Sequence, residues 1–331
     1  MNEARVRAGL LRWYDKNRRK MPWREKTGPY RTWISEIMLQ QTQVATVIPY
    51  FNRFLKKFPN VRRLAQAPES DVLRMWAGLG YYSRAKNLKR AAEKIVSELN
   101  GRFPEDIEGL LQLPGVGPYT AAAVASIAFG KPRELVDGNV ARVLARLFAL
   151  RGNIKSPEVE KRLWETAGRL LDRKRPGDWN QALMEQGALI CLPLPDVPKC
   201  DRCAVASDCR GLRLGIQETL PETPEKRTPV KLDWTALEIT KNSLQLLWRR
   251  GEKEKFLRGH WGLPEARHLR SLKPGAALRT ISHSITHHRI TLRVRKAPAP
   301  FGPLPKEAKW VSKRELKRYL VSSLWRKATK K

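Results

Sequence analysis

The sequence predicts an all-α domain followed by a smaller α+β domain. Apolar residues recur every three or four positions in successive segments up to about residue 190, the pattern of amphipathic helices. A proline-rich stretch at 213–231 lacks this periodicity and is typical of a linker. Beyond it, alternating apolar and polar residues at 289–295 predict a half-exposed strand. A length of 331 residues suits two such domains.

Proline, glycine and asparagine separate the helical segments. One amphipathic helix is predicted from Trp33 to Phe51. Further helices are expected at 61–76, 84–99, 118–129, 139–150, 157–172 and 179–190. In the second domain we expect a hairpin turning at Lys241-Asn242 and a capping box from Ser312 to Glu315 that starts a short helix. The boundaries become 1–212 for the helical domain, 213–231 for the linker, 232–325 for the second domain and 326–331 for a basic tail.

The chain is strongly basic. It has 65 Lys and Arg against 32 Asp and Glu, a formal charge of +33. Such an excess favours a polyanionic partner, first of all nucleic acid, although basic residues could also serve solubility alone. The composition, 41% hydrophobic and 29% charged, excludes membrane and disordered classes. The charged N-terminal segment does not resemble a signal peptide, so we expect a cytoplasmic, nucleoid-associated protein with no membrane partner.

All four cysteines lie within nineteen residues, at Cys191, Cys200, Cys203 and Cys209. In a reducing compartment such a group indicates metal ligands rather than disulfides. The spacing alone leaves open a tetrahedral zinc ion or a 4Fe-4S cluster. One C-x2-C pair flanked by two single cysteines favours the cluster, because zinc sites usually combine two such pairs. Basic residues flank the thiols, which indicates that the loop also meets phosphate.

The sequence LPGVG at 113–117 lies between two predicted helices. Its glycines would let backbone N–H groups at the next helix N-terminus face a phosphate oxygen. LPGVG could be an ordinary turn, but the PYTA sequence that follows favours a helix-hairpin-helix. Its expected DNA contacts are Leu113, Gly115, Val116 and Gly117.

Two carboxylates are candidate catalytic groups. Glu36, Gln40 and Gln43 are spaced so that they share one side of the predicted helix, beside its apolar stripe. Partial desolvation there raises the pKa of a carboxyl group and keeps it available as an acid; the alternative is a solvated surface Glu. Asp137 opens the next predicted helix after the hairpin, where on its own it would be an N-cap.

Together, the helix-hairpin-helix, Asp137 and the cysteine loop resemble the endonuclease III branch of base-excision DNA glycosylases. Within that branch, the segment WISEIMLQQTQV at 33–44 closely resembles the MutY-type adenine DNA glycosylases. The similarity runs from about Trp13 to Cys209 and resumes in the C-terminal domain. It implies a helix-hairpin-helix glycosylase domain with a 4Fe-4S loop, followed by a Nudix-like domain.

The resemblance implies a role for each candidate residue. Breaking an N-glycosidic bond requires a proton for the base and negative charge near the cationic sugar. Glu36 would protonate adenine and assist the water, while Asp137 would stabilise the oxocarbenium-like or covalent intermediate. Tyr119 and Asn139 would support the pair. Bifunctional relatives carry a Lys where Tyr119 stands, so a monofunctional glycosylase is implied.

Other residues are expected to contact substrate or DNA. The target base must leave the helix stack, and Gln40 and Tyr81 match the family's wedge positions; Tyr81 or its neighbour Tyr82 could instead be a core aromatic. Arg24 matches a residue near the adenine pocket, with an exposed Arg as the alternative. Contacts are also expected from Gln41 and Glu185.

The C-terminal domain resembles the Nudix-like module that recognises 8-oxoguanine on the opposite strand. Its landmarks are WGLPE at 261–265 and HSITH at 283–287, where Thr286 and His287 would contact the damaged base. Closely spaced glutamates of a Nudix box are missing, so this domain should bind rather than catalyse. Ile285 stands where the family has Phe and cannot stack as Phe does. Eight residues separate the first two cysteines, where the family usually has six.

These inferences predict a monomeric adenine DNA glycosylase acting on double-stranded DNA that contains adenine opposite 8-oxoguanine or guanine. Two alternatives remain open at this point. One is a mismatch thymine or uracil glycosylase on the same scaffold, and the other is a catalytically silent DNA-binding protein.

Overall fold

A computed structural model of the chain describes residues 2–224 and 228–330. They form two compact units, residues 2–69 with 83–224, and residues 70–82 with 228–330. The chain passes from one unit to the other within the predicted linker, but the described part of the linker up to residue 224 belongs to the first unit. There, Leu220 is buried, and its carbonyl oxygen accepts a 2.8 Å hydrogen bond from Nε of Arg146.

Helices build the first unit. They are α1 (Glu3–Asn17), α2 (Pro22–Glu25), α3 (Pro29–Leu39), α4 (Val44–Lys57), α5 (Val61–Gln66), α6 (Glu69–Trp76), α7 (Tyr82–Glu98), α8 (Ile107–Leu111), α9 (Pro118–Ala123), α10 (Gly138–Phe148), α11 (Pro157–Leu170), α12 (Pro176–Leu189) and α13 (Arg210–Arg213); most of α6 and the first residue of α7 belong to the second unit. A π-helical turn, Val124–Ala128, extends α9. Among the described residues, none of the helices is both long and apolar enough to cross a bilayer.

The helix predicted from Trp33 to Phe51 is interrupted. It ends at Leu39 and a new helix begins at Val44, with Gln41 in a left-handed conformation at φ 56°. Arg84 explains the break, because its Nη1 donates to the carbonyl oxygens of Ile37 at 2.8 Å and of Gln40. A helix end needs partners for its last carbonyl groups, and this Arg supplies them. Glu36, Gln40 and Gln43 therefore do not share one helix face, which corrects that prediction.

Elsewhere the helix predictions agree with the structure to within a few residues, except that 61–76 forms two helices separated by Pro68. The core of the first unit lies between α1, α10, α11 and α12 and includes Leu10, Leu144 and Trp179, all essentially inaccessible to solvent. At Gly187, a Cβ atom would lie 2.6 Å from Cβ of Asn139. A glycine is therefore needed for α12 to approach the start of α10, where the candidate carboxylate Asp137 lies.

The second unit contains two small sheets and two further helices. The strands are β1 (Val230–Glu238), β2 (Thr240–Lys241), β3 (Leu244–Arg249), β4 (Trp261–Gly262), β5 (Ala277–Ile285), β6 (His288–Lys296) and β7 (Ala308–Ser312), and the helices are α14 (Leu316–Tyr319) and α15 (Ser323–Thr329). One sheet has the order β1-β6-β5, with β1 parallel to β6 and β5 antiparallel to it. In the other, β3 pairs with β2, β4 and β7. This confirms the smaller α+β domain.

Details of the second unit test the local predictions. The alternation at 289–295 is confirmed, since the inward residues of β6 are buried. The predicted hairpin is β2–β3, and Asn242 and Ser243 form its turn with positive φ. Oγ of Ser312 does hydrogen-bond to the Glu315 carboxylate at 2.8 Å, but the helix begins only at Leu316. The predicted basic tail from 326 instead continues helix α15, whose Trp325 is fully buried.

Candidate active site

A cavity of about 1510 Å³ lies in the first unit. Helices α1, α2, α3, α9, α10 and α12, the segment between α1 and α2 and the segment between α3 and α4 contribute to its walls. Eight residues predicted to act in catalysis or substrate binding line it: Arg24, Glu36, Gln40, Gln41, Tyr119, Asp137, Asn139 and Glu185. Residues distant in the sequence are thus brought together at one site.

Glu36 is a buried acid in this cavity. It is 5% exposed, and its Oε2 accepts a 2.5 Å hydrogen bond from Oη of Tyr119. Burial raises the pKa of Glu36 to about 7, helped by the nearby Asp137 carboxylate, while the Tyr119 hydroxyl and Arg24 act in the opposite direction. The predicted increase in its pKa is confirmed, although the single-helix premise was wrong.

Asp137 caps α10 and faces the same cavity. Its Oδ1 accepts a 2.7 Å hydrogen bond from the backbone N–H of Val140, and Oδ2 accepts one of 2.9 Å from Nδ2 of Asn139. Burial raises the pKa of Asp137, whereas these hydrogen bonds favour its charged form. Asp137 can therefore be both an N-cap and a catalytic group. Oδ1 caps the helix, while Asn139 orients Oδ2 and the residue lines the cavity.

Asn139 is fixed in turn by Arg142. Nη2 of Arg142 donates to Oδ1 of Asn139 at 2.9 Å, which orients the amide so that its N–H faces Asp137. The same guanidinium donates to the carbonyl oxygens of Gly187 and Cys191, each at 2.7 Å. No motif singles out Arg142, which lies about one helical turn beyond Asn139 on α10.

A buried ion pair forms another wall of the cavity. Glu185, 1% exposed, accepts from Nε of Arg19 at 2.8 Å and pairs with Nη2 of Arg24 at 3.1 Å. Nε of Arg24 also donates to Gln181 at 2.7 Å. Arg24 is therefore not the exposed side chain of the alternative reading. Sequence analysis missed Arg19, Gln181 and Met184, although the spacing of Gln181, Met184 and Glu185 along α12 was the available signal.

The four cysteines are partly buried against the first unit, and three of them pack on its core. Two side-chain donors face their sulfur atoms: Nε2 of Gln186 lies 3.0 Å from Sγ of Cys203, and Nη1 of Arg146 lies 3.3 Å from Sγ of Cys191. Burial raises the pKa of Cys203 to about 11, and the neighbouring thiols add to the increase. Sulfur acceptors held by N–H donors match thiolate ligands.

The chemistry of the four thiols bears on what they could hold. Among the described residues, no three His, Cys, Asp or Glu side chains are arranged to hold a single metal ion. A 4Fe-4S cluster is larger than one ion and takes four separate thiolates. Four thiol donors in one loop are a donor set that either a 4Fe-4S cluster or a tetrahedral zinc ion takes.

The predicted hairpin at 113–117 forms a tight turn before α9. Gly115 has φ 77°, and a Cβ there would lie 2.6 Å from Cβ of Asn87, so the turn requires glycine. Gly117 is the N-cap of α9 and is exposed. Leu113 and Val116 are buried beneath the turn, which orients the backbone of the glycines outward.

The remaining predicted contacts lie in the second unit. Tyr81 is 45% exposed with φ 46°. Its neighbour Tyr82 is the core aromatic, since its Oη donates to the carbonyl oxygen of Val321 at 2.9 Å and its ring lies 4.6 Å from that of His260. Thr286 and His287 form the exposed turn between β5 and β6.

Comparisons with known proteins agree with this architecture. Residues 34–169 match the HhH-GPD superfamily of base excision DNA repair proteins. A human protein named adenine DNA glycosylase is 48% identical over 65% of this chain and 40% of its own length. A protein of that name from Buchnera aphidicola subsp. Acyrthosiphon pisum is 38% identical over 72% of this chain and 71% of its own length.

A solved structure of a thermostable thymine-DNA glycosylase is 32% identical to this chain, with a TM-score of 0.58 over 64% of this chain and 97% of that protein. It confirms the helical glycosylase fold. The chain spans less than half the length of the human relative.

Proposed function

The chain belongs to the HhH-GPD superfamily and, within it, to the adenine DNA glycosylases, and we propose that it excises adenine mispaired with 8-oxoguanine or guanine in double-stranded DNA. The observation that carries the proposal is the buried Glu36, with a pKa raised to about 7, in one cavity with Asp137 and Tyr119. We further propose that it acts as a monomer in the cytoplasm, at the nucleoid.

Glu36 supplies the proton. With a pKa of about 7, a substantial fraction of the carboxyl is protonated at neutral pH. It can therefore protonate N7 of adenine as the glycosidic bond lengthens, and an acid whose pKa is near the working pH is most effective. Once deprotonated, the same carboxylate can accept a proton from the attacking water.

Asp137 supplies negative charge for the sugar. Its hydrogen bonds from Val140 N–H and Asn139 favour the carboxylate, which would stabilise an oxocarbenium-like or covalent intermediate. The charge on Asp137 also raises the pKa of Glu36. Burial, and to a smaller degree the Asp137 carboxylate, raises the pKa of Glu36, which divides acid and anion roles between two residues of similar chemistry.

Tyr119 makes the enzyme monofunctional. Its hydroxyl binds Glu36, and a phenol cannot form the Schiff base by which an amine would lead to strand cleavage. The adenine must be flipped into the cavity, where Arg24, Gln40, Gln41 and Glu185 would surround it. Tyr81 would fill the space in the helix stack.

The four thiolates would hold a 4Fe-4S cluster, which would fix the loop as a structural element. Lys and Arg residues beside the cysteines, with the Gly115–Gly117 turn, would contact DNA phosphates. The second unit would act as the Nudix-like domain that recognises 8-oxoguanine, through Thr286 and His287. The excess of 33 positive charges supports a DNA partner.

The likeness to a thymine-DNA glycosylase structure makes thymine excision the second candidate. Single-turnover base release from duplexes with adenine opposite 8-oxoguanine, adenine opposite guanine, and thymine opposite guanine separates the two. We expect adenine release, fastest opposite 8-oxoguanine, with strand cleavage only after alkali. Thymine release alone would replace the proposal by the second candidate, and no release from any duplex would refute both.

A further inference from the structure

Gln186 is a buried polar residue that the proposed chemistry does not use. It follows Glu185 on α12 and is 1% exposed. Its Nε2 lies 3.0 Å from Sγ of Cys203, and its Oε1 has no hydrogen-bond partner among the described residues. An unsatisfied buried acceptor costs free energy, so an apolar residue would suit this position better if only packing mattered. A polar residue here is therefore better explained by its contact with the sulfur atom.

The same residue also holds the start of the cysteine loop. Its backbone carbonyl oxygen accepts from the N–H of Cys191 at 2.8 Å and from that of Ile190 at 3.1 Å. Gln186 thus contacts the first cysteine through its backbone and the third through its side chain. Trp179 and Leu183 fix α12 in the core of the first unit, so the amide approaches the sulfur from a fixed direction.

The chemistry of the two groups fixes the direction of this hydrogen bond once the sulfur binds metal. A cysteine that binds metal is a thiolate, which can only accept, and an amide NH2 group can only donate. The opposite orientation of the amide would place Oε1 of Gln186 against the lone pairs of a negatively charged sulfur. A hydrogen bond from the backbone of Val205 also favours the charged form of Cys203. The two donors therefore act in the same sense.

Hydrogen bonds to the sulfur ligands affect the reduction potential of an iron–sulfur cluster. Reduction adds one negative charge, which spreads over the cluster and its thiolates. An N–H donor stabilises the more negative state to a larger extent. It therefore raises the reduction potential, and loss of an electron becomes less favourable.

Arg146 makes a similar contact with Cys191, at 3.3 Å, but it has other partners as well. Its guanidinium also donates to the carbonyl oxygens of Leu192 at 2.7 Å and of Leu220 at 2.8 Å. Replacing Arg146 would release several backbone groups at once, whereas replacing Gln186 removes one side-chain hydrogen bond. Gln186 is therefore the residue at which the effect of a single N–H donor can be measured.

We propose that Gln186 is a positioning residue for the ligand Cys203, and that its amide raises the reduction potential of a 4Fe-4S cluster held by the four cysteines. The amide thereby makes the cluster more resistant to oxidation. The inference rests on one part of the proposed function, the cluster, and does not depend on base excision.

The test compares the reduction potentials of intact protein variants purified anaerobically with the cluster. Potentiometric titration, followed by visible absorption and electron paramagnetic resonance, gives each potential. Gln186→Leu removes the donor and keeps a side chain of similar size. We expect its equilibrium constant for reduction to fall about tenfold, equivalent to about 59 mV for a one-electron couple. Ferricyanide, which takes up the electron and becomes ferrocyanide, should also bleach the visible absorption of this variant faster.

Two controls separate this effect from a loss of packing. Asn180→Ala removes another buried amide of α12, whose Nδ2 donates to Oγ of Ser126 and to the carbonyl oxygen of Arg133, each at 2.8 Å. It should lower the free energy of unfolding without changing the potential. Gln66→Leu, at an exposed position of α5, should change neither. Gln186→Met also lacks a donor, so it should repeat the shift of Gln186→Leu.

An unchanged or higher potential in both Gln186 variants would overturn the inference, and so would an equal shift in Asn180→Ala. Loss of the cluster from both Gln186 variants would overturn it as well, because the amide would then be required for binding. Protein that contains zinc and no iron after anaerobic purification would refute the inference together with the proposed cofactor. The expected shift in a protein that releases no base would support the inference and refute only the proposed activity.

Discussion

The cavity of the first unit and the hairpin tip of the second use burial in different ways. In the cavity, the acting group is itself buried: Glu36 is 5% exposed, and that burial raises its pKa to about 7. At the tip, Thr286 is exposed and the buried group is His288 behind it. A group that transfers a proton needs desolvation to set its pKa, whereas a group that recognises a base needs an open lone pair of fixed direction.

The largest expected effect tests the cavity. Glu36→Gln removes the acid but keeps the shape, so the single-turnover rate of base release should fall about 1000-fold, within the range of general acid catalysis. Binding to the same duplex should persist. Glu165→Gln, an exposed residue of α11, is the matched control. A variant that retains more than a tenth of the rate would show that Glu36 is not the acid.

Next in size is an effect on the second unit. Trp325 is fully buried in its core, so Trp325→Ala should destabilise that unit by about 3–5 kcal/mol, measured by urea unfolding. Lys327→Ala, exposed on the same helix, should change little. If catalysis in the first unit and recognition by the second unit are separate, Trp325→Ala abolishes the preference for 8-oxoguanine while adenine is still released opposite guanine. Loss of all release would mean that the two regions do not act separately.

The smallest effect is on pH dependence. An acid that must be protonated loses activity as the pH rises through its pKa, so release should decline above about pH 7. The Tyr119 hydrogen bond lowers the pKa of Glu36, and Tyr119→Phe should therefore move this decline to higher pH. As a control, Tyr30→Phe removes a hydroxyl that donates to the Phe58 carbonyl oxygen, and it should leave the pH of the decline unchanged. A shift to lower pH would contradict the assigned role of that hydrogen bond.

Much of the fold could be predicted because helix periodicity is local. The break after Leu39 could not, since Arg84 satisfies the end of α3 from more than forty residues away. Helix α15 was hidden for another reason: it has only 7 residues, and its buried positions Leu324, Trp325 and Ala328 span little more than one turn. Local pattern is informative where a helix is long enough to show its period, and it fails where the partner is distant or the helix is short.

The candidate site shows the same division. Glu36 and Asp137 could be picked out because a motif surrounds each of them, and the structure brings both to one cavity. Arg19 and Arg142 could not, because they act only through Glu185 and Asn139, Arg19 from outside the helix of its partner and Arg142 from the same helix as its partner. Likewise, the contact between Lys255 and His288 joins a loop to the first residue of β6, and only folding brings the two together. Sequence indicates the reacting groups more readily than the groups that hold them.

The hydrogen bond from Tyr82 to Val321 joins residues 239 positions apart. During synthesis, residues 70–82 leave the ribosome long before the strands with which they form the second unit. At translation rates of about 5–20 residues per second, this delay lasts roughly 10 to 50 seconds. Val72 and Trp76, both fully buried in the finished protein, belong to this early segment. The second unit can therefore be completed only near the end of synthesis, long after its first residues have been made.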